Sequence, residues 1–188
     1  MRTHYAGASK KYYITGAPQC PFPDRAMDAM LNAASFDAIF VRLCFPCSVV
    51  LADLPPQIQF YNNNCGVSSY NTNTFNYGTW DYWAKTRSPT KNVKVFLGVP
   101  GSATGGGGYV SAAQVNTISS SLRKKYPSFG GVMYWDASQA YNNGRFDQSV
   151  KNSLVAGGGT GFTYPACSAP AYVAGSSYTA GSQVSYAG

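Results

Sequence analysis

Proton-transfer chemistry rests on carboxylates, histidines and thiols, and this sequence is sparing with all three. Its seven acidic residues are all aspartate (Asp24, Asp28, Asp37, Asp53, Asp81, Asp136 and Asp147), and no glutamate occurs in the 188 residues. A mechanism that needs a glutamate finds none here. The single histidine, His4, has no ligand set around it, which argues against a histidine-based triad or a multi-histidine metal site. Cys44-Phe-Pro-Cys47 has CxxC spacing, but no second pair and no neighbouring histidine completes a zinc set. No metal and no cofactor is expected. Cys20, Cys65 and Cys167 bring the cysteines to five, a number that cannot pair completely.

The formal net charge of +7 raises nucleic acid as a partner. The 14 Lys and Arg are scattered, however, and the densest run, Arg123-Lys124-Lys125, falls where a helix should end and cations offset its dipole. No nucleic-acid partner is expected. No apolar run reaches the length that spans a bilayer, so no membrane contact is expected either. With 45% hydrophobic and 11% charged residues, most of the chain must be ordered. The Tyr-, Ser-, Asn-, Thr- and Gly-rich composition fits a secreted protein, yet Met1-Arg-Thr-His-Tyr-Ala-Gly7 has no apolar leader. The expectation is a protein whose front is missing.

The elements that would carry a site follow from hydrophobic periodicity. Four β-branched and aromatic runs read as buried strands: Tyr12–Pro18, Phe36–Val41 (continued at Ile58–Asn63), Val93–Pro100 and Gly131–Ala137. Helical patterns separate them. Asp24 can cap a helix carrying Met27, Met30 and Leu31. Phe75–Thr86 places Trp80 and Trp83 on one core-facing side. Ser111 opens a third helix with Val115, Ile118 and Leu122 as its buried stripe, stopping near Gly130-Gly131, and Phe146–Val155 is the fourth. Strand alternating with helix predicts an α/β fold with a parallel sheet, about half of a (β/α)8 TIM barrel over residues 1–156. Residues 157–170 read as a Gly/Ser/Thr/Pro linker, and residues 171–188 as a module too short to hold a core alone.

Four segments carry a specific resemblance. Tyr12-Tyr-Ile-Thr-Gly-Ala-Pro-Gln-Cys-Pro-Phe-Pro-Asp24, Gln59-Phe-Tyr-Asn-Asn-Asn-Cys65, Val95-Phe-Leu-Gly-Val-Pro100 and Gly130-Gly-Val-Met-Tyr-Trp-Asp136 resemble barrel strands five, six, seven and eight of family 18 glycoside hydrolases, the class III chitinase group of fungi and plants. The tail, Ser168-Ala-Pro-Ala-Tyr172 onward through Tyr178 to Gly188, is similar to the opening of a family 5/12 chitin-binding module. The resemblance implies the C-terminal half of an incomplete barrel, from an extracellular, monomeric enzyme that hydrolyses β-1,4-linked N-acetylglucosamine in chitin or chitooligosaccharides. In that family the substrate's own N-acetyl carbonyl attacks the anomeric carbon while a glutamic acid protonates the leaving oxygen, a substrate-assisted exception among glycosidases. That acid lies in a DxxDxDxE motif at the end of strand four, which this sequence lacks, so the chain alone is expected to be inactive.

What the resemblance leaves is the opposite wall of the cleft. Tyr61 matches the tyrosine that orients the N-acetyl carbonyl, a positioning role. Gln19, Gln59 and Asn62 resemble contacts to sugar hydroxyls or amide. Trp135 matches the tryptophan on which the central sugar stacks, its broad ring suited to the apolar face of a pyranose. Asp136 receives no catalytic role. Cys20 and Cys65 match a disulfide of the plant enzymes. The alternative is a non-catalytic, lectin- or inhibitor-like relative that binds carbohydrate.

One segment departs from the pattern. Phe36-Asp-Ala-Ile-Phe40 and Ile58-Gln-Phe-Tyr61 join without a gap in the family, whereas here Val41–Gln57, 17 residues and therefore 51 nucleotides, interrupts a central strand. Every Val codon begins GT and a Gln codon can be CAG, so the segment reads as a retained intron. Pro46, Pro55 and Pro56 could not donate to a sheet ladder in any case.

Overall fold

The computed structural model describes residues 2–41, 63–158, 170–179, 182 and 184. Strands β1 (Thr15–Gly16), β2 (Ala38–Val41), β3 (Lys94–Pro100) and β4 (Phe129–Trp135) form one parallel sheet in chain order. Parallel neighbours need a crossover, and here helices supply each one. Helix α1 (Asp28–Ala33) joins β1 to β2, α2 (Tyr77–Thr86) precedes β3, and α3 (Ala112–Lys125) joins β3 to β4. A short α4 (Ala137–Asn142) and then α5 (Phe146–Ala156) follow β4. This is the expected α/β architecture: four successive strands with their helices, as in part of a (β/α)8 barrel. Of the continuation expected at Ile58–Asn63, residues 58–62 lie outside the described residues, as does the 42–57 segment, and Asn63 is not in a strand.

The two faces of the sheet differ, because alternate residues of a strand point opposite ways. Ile39, Val41, Val95, Leu97 and Val99 are buried on the helix side with Trp80, Trp83, Val115, Ile118 and Leu122. Tyr134 lies on the same side, its ring edge-on to Phe146 of α5 at 6.3 Å. The other face carries Phe40 against Phe96 at 5.0 Å, with Met133 and Trp135 further along, all half-exposed. Phe96 lies flat over the backbone of Gly130 and Gly131: a Cβ at Gly130 would stand 2.6 Å from its ring. The glycines that looked like a helix stop are therefore strand residues making room for an aromatic ring.

Helix boundaries shift for similarly local reasons. Helix α3 begins where expected, with Ser111 and Gln114 closing a reciprocal capping box. It ends at Lys125, earlier than Gly130, because Tyr126 precedes Pro127 and takes an extended conformation (φ −127°, ψ 113°). Arg123, Lys124 and Lys125 do occupy its last turn, and Arg123 also donates to the carbonyls of Leu154 (2.8 Å) and Gly158 (2.7 Å) at the end of α5. Asp24 is not the residue flanking α1. Its carboxylate instead accepts from the amides of Gln19 (2.6 Å), Ala26 (2.9 Å) and Met27 (2.5 Å), ordering the turn before the helix. The strand expected through Ala137 stops at Trp135, since Asp136 starts a helix.

Candidate functional site

In a parallel sheet all strands end on the same side, and loops there gather the functional groups. Trp135 is the last residue of β4, opposite Pro100 of β3 and on the half-exposed face that also carries Phe96 and Met133. Trp80 and Trp83 differ from it entirely. They are 0% and 1% exposed, and their indole N–H groups donate to Cys20 O (3.0 Å) and Asn32 Oδ1 (3.0 Å). Only Trp135 of the three tryptophans stands on the open face.

The backbone around Trp135 is tightly enclosed. Its carbonyl accepts from the Gly101 amide at 2.7 Å, and a Cβ on Gly105 would come within 3.0 Å of the same oxygen. A Cβ on Gly101 would lie 2.9 Å from Asp136 O. The loop after β3 thus rests main chain against main chain on the Trp135–Asp136 peptide, which is cis. Asp136 accepts from the Ser138 hydroxyl (2.5 Å) and the Gln139 amide (3.0 Å), and these donors, the hydroxyl foremost, hold its carboxyl below the usual carboxylate range. It caps α4, and its lowered pKa favours the ionised form. The Asp-x-x-Gln spacing that signals such a cap was present in the sequence, as was the run Gly105-Gly-Gly-Gly108 in the loop.

Gln19 lies beyond the end of β1, half-buried, with its amide bonded to Asp24 Oδ2. It shares the strand-end side of the sheet with Trp135, but β2 and β3 stand between them. Gln59, Tyr61 and Asn62 lie outside the described residues. The disulfide Cys20–Cys65 is formed, and it ties the segment after β1 to the segment before the 3₁₀ turn at Val67–Ser69. Among the described residues no group of three or more His, Cys, Asp or Glu could hold a metal ion. Nor is any described helix long and apolar enough to cross a membrane.

An α/β segment of barrel type with an aromatic residue at a strand end is the class that fold and site define. No family model matches the chain. It is 45% identical over 153 residues to chitinase 2 of Rhizopus oligosporus, covering 81% of this chain and 24% of that protein. It is 43% identical over 158 residues to endochitinase 33 of Trichoderma harzianum, covering 81% of this chain and 43% of that one. Among solved structures it is similar to a xylanase–α-amylase inhibitor protein, at 31% identity and a TM-score of 0.57 over 80% of this chain and 48% of the other. Over most of its length the chain is thus similar to part of fungal chitinases. The chain spans less than half the length of these relatives.

Proposed function

We propose that residues 1–156 form one wall of the sugar cleft of a chitinase-like hydrolase acting on β-1,4-linked N-acetylglucosamine, with Trp135 as its stacking surface. The observation that carries this reading is the position of Trp135, half-exposed at the strand-end side of the open face. The strand register adds support. Phe40 pairs with Phe96, and Pro100 with Trp135. In a chain joined directly from Phe40 to Ile58, the same register sets Gln59 opposite Gly98 and Tyr61 opposite Pro100. By alternation both then share the face of Met133 and Trp135. Tyr61 would orient the N-acetyl carbonyl and Gln19, Gln59 and Asn62 would meet sugar hydroxyls or amide. In this reading 41–57 is a retained intron that interrupts the strand pattern between Phe40 and Ile58 in the sequence.

These 188 residues hold no glutamate, and the lowered pKa of Asp136 favours its ionised form, so in this reading the proton donor lies outside them. Catalysis in the whole protein is then retaining and substrate-assisted. The protein acts outside the cell as a monomer on chitin or its oligomers. Residues 157–170 are a linker and residues 171–188 the opening of a chitin-binding module, in which the Tyr172 and Tyr178 rings stack at 5.6 Å.

A second reading, a carbohydrate-binding or inhibitory relative without hydrolytic activity, is favoured by the 31% likeness to an inhibitor protein. Reading the transcript upstream of Met1 separates the two: a DxxDxDxE motif means an enzyme, and its absence means a binder. The shared claim is tested by titrating the chain with the tetramer of N-acetylglucosamine and with the matching glucose tetramer. Saturable quenching of tryptophan emission is expected with the first only. Equal responses, or none, would contradict the reading. No turnover of a fluorogenic chitobioside is expected from the 188-residue chain.

A further inference from the structure

We propose that Gln139 and Asn143, one turn apart on α4 and its C-cap, are positioning residues that hold the Trp135 indole in place through the loop after β3. The proposal rests on the sugar-stacking role of Trp135. Residues four apart share a helix face, and here both are amides turned to the same loop. Asn143 uses both hydrogens of its Nδ2, donating to Gly101 O at 3.0 Å and to the Tyr109 hydroxyl at 2.9 Å. Gln139 offers the complementary group: its Oε1 accepts from the Ser102 hydroxyl and from Thr104 Oγ1 at 2.9 Å. The loop is pinned at Gly101 and Tyr109 by a donor, and at Ser102 and Thr104 by an acceptor.

The pinned loop then fixes the tryptophan. The Ser102 oxygen accepts from the amides of Thr104 (3.2 Å) and Gly105 (3.1 Å), closing the turn that brings Gly105 against the Trp135 carbonyl. Gly101, whose own carbonyl Asn143 holds, donates its amide to that same Trp135 carbonyl. The backbones approach closely at both glycines: a Cβ at Gly101 would lie 2.8 Å from Ala140 N, and one at Gly105 3.0 Å from the Trp135 carbonyl. Neither amide side chain serves its own helix. The α4 backbone is capped by Asp136, and Gln139 N–H and C=O are satisfied by Asp136 Oδ1 and Asn143 N. Two side chains with no local task, both turned to one loop, point to placement of what that loop touches. A ring displaced by about 1 Å loses its stacking geometry, and a fixed ring is already oriented when sugar arrives.

The test compares Gln139→Leu, Gln139→Glu and Asn143→Ala with the 188-residue parent, reading the three tryptophan indole N–H signals by NMR and affinity for the N-acetylglucosamine tetramer. Glutamate keeps an acceptor for Ser102 and Thr104, whereas leucine removes it. Gln139→Leu and Asn143→Ala each remove two hydrogen bonds to the loop, and should broaden or shift the Trp135 signal, leave those of Trp80 and Trp83 in place, and weaken binding about tenfold. Gln139→Glu should bind within about twofold of the parent, far less than one hydrogen bond. If Asn143→Ala does not fold, the Gln139 pair decides. An unchanged Trp135 signal in Gln139→Leu, disturbance of all three signals together, or equal effects of Leu and Glu would overturn the proposal. Should the parent bind no tetramer, the sugar reading falls, while the indole signals still decide whether these amides place Trp135.

Discussion

Asp37 and Asp136 are each defined by the groups that donate to them. Asp136 accepts from Ser138 and Gln139 and caps α4 at the strand end. Asp37 accepts the Ile14 amide at 2.7 Å and pairs with Arg2 at 3.2 Å, and the amide first, then the guanidinium, lower its pKa. A carboxylate favoured in the folded state contributes stability above its unfolded pKa and loses it as pH falls through the folded one. Asp37→Asn should therefore melt at lower temperature than the parent near neutral pH, and the gap should begin to narrow below about pH 4 and close only once pH has fallen through the lowered folded pKa, where neither side chain carries a charge. Thermal melts from neutral to acid pH measure this. A gap that stays constant across the range would remove Asp37 from the pH response. The side chain is partly exposed and the effect correspondingly modest.

At the scale of elements, most of the architecture could be read from apolar spacing, and the misplacements have physical causes. Helix α3 was legible because Ser111, Gln114 and the Val115, Ile118, Leu122 stripe all agree. It ends ahead of Pro127 rather than at Gly130-Gly131, because those two glycines sit in β4 and make room for the Phe96 ring. Helix α4 was missed: at six residues it shows no apolar period, and only the Asp136-x-x-Gln139 spacing betrays it. The candidate site was half legible for the same reason. Trp135 stands out by residue type, whereas the side-chain amides of Gln139 and Asn143 meet loop partners 34 to 42 residues away, a pairing that leaves no local pattern in the sequence. Gly98 shows how close β2 and β3 run, since its Cβ would meet Val41 O at 2.5 Å and Met133 Cε at 3.3 Å. A carbonyl in a sheet cannot step aside. Gly98→Ala should cost on the order of 1–3 kcal/mol, as overpacking does. An unchanged urea midpoint would show that the strands yield.

For the whole molecule the decisive feature is the break in the second strand of the pattern. Among the described residues β2 covers Ala38–Val41, and β3 runs on through Gly98, Val99 and Pro100 with β4 beside it. Deleting residues 41–57 would let Ile58, Gln59, Phe60 and Tyr61 extend β2 along that ladder. The shortened chain should melt at higher temperature and bind the N-acetylglucosamine tetramer at least about tenfold more tightly, as polar side chains join the cleft. Calorimetry on the two chains provides both numbers. A deletion that lowers the melting temperature and leaves affinity unchanged would mark the segment as part of the native fold. The Cys20–Cys65 bridge spans this region, with a sequence separation of 45, and constrains the unfolded chain in either version.

The claim beneath all of this is that the strand-end side of the open face holds a chain of N-acetylglucosamine against Trp135. The chain has three tryptophans, two of them buried with their indole N–H groups bonded to Cys20 O and Asn32 Oδ1. In a 15N-labelled sample, the three indole signals can be followed during titration with the tetramer. The account predicts that the Trp135 signal, identified by its loss in Trp135→Phe, shifts saturably while the other two stay fixed. A Trp135 signal that does not move at saturating sugar, or a sugar response confined to the buried pair, would contradict it.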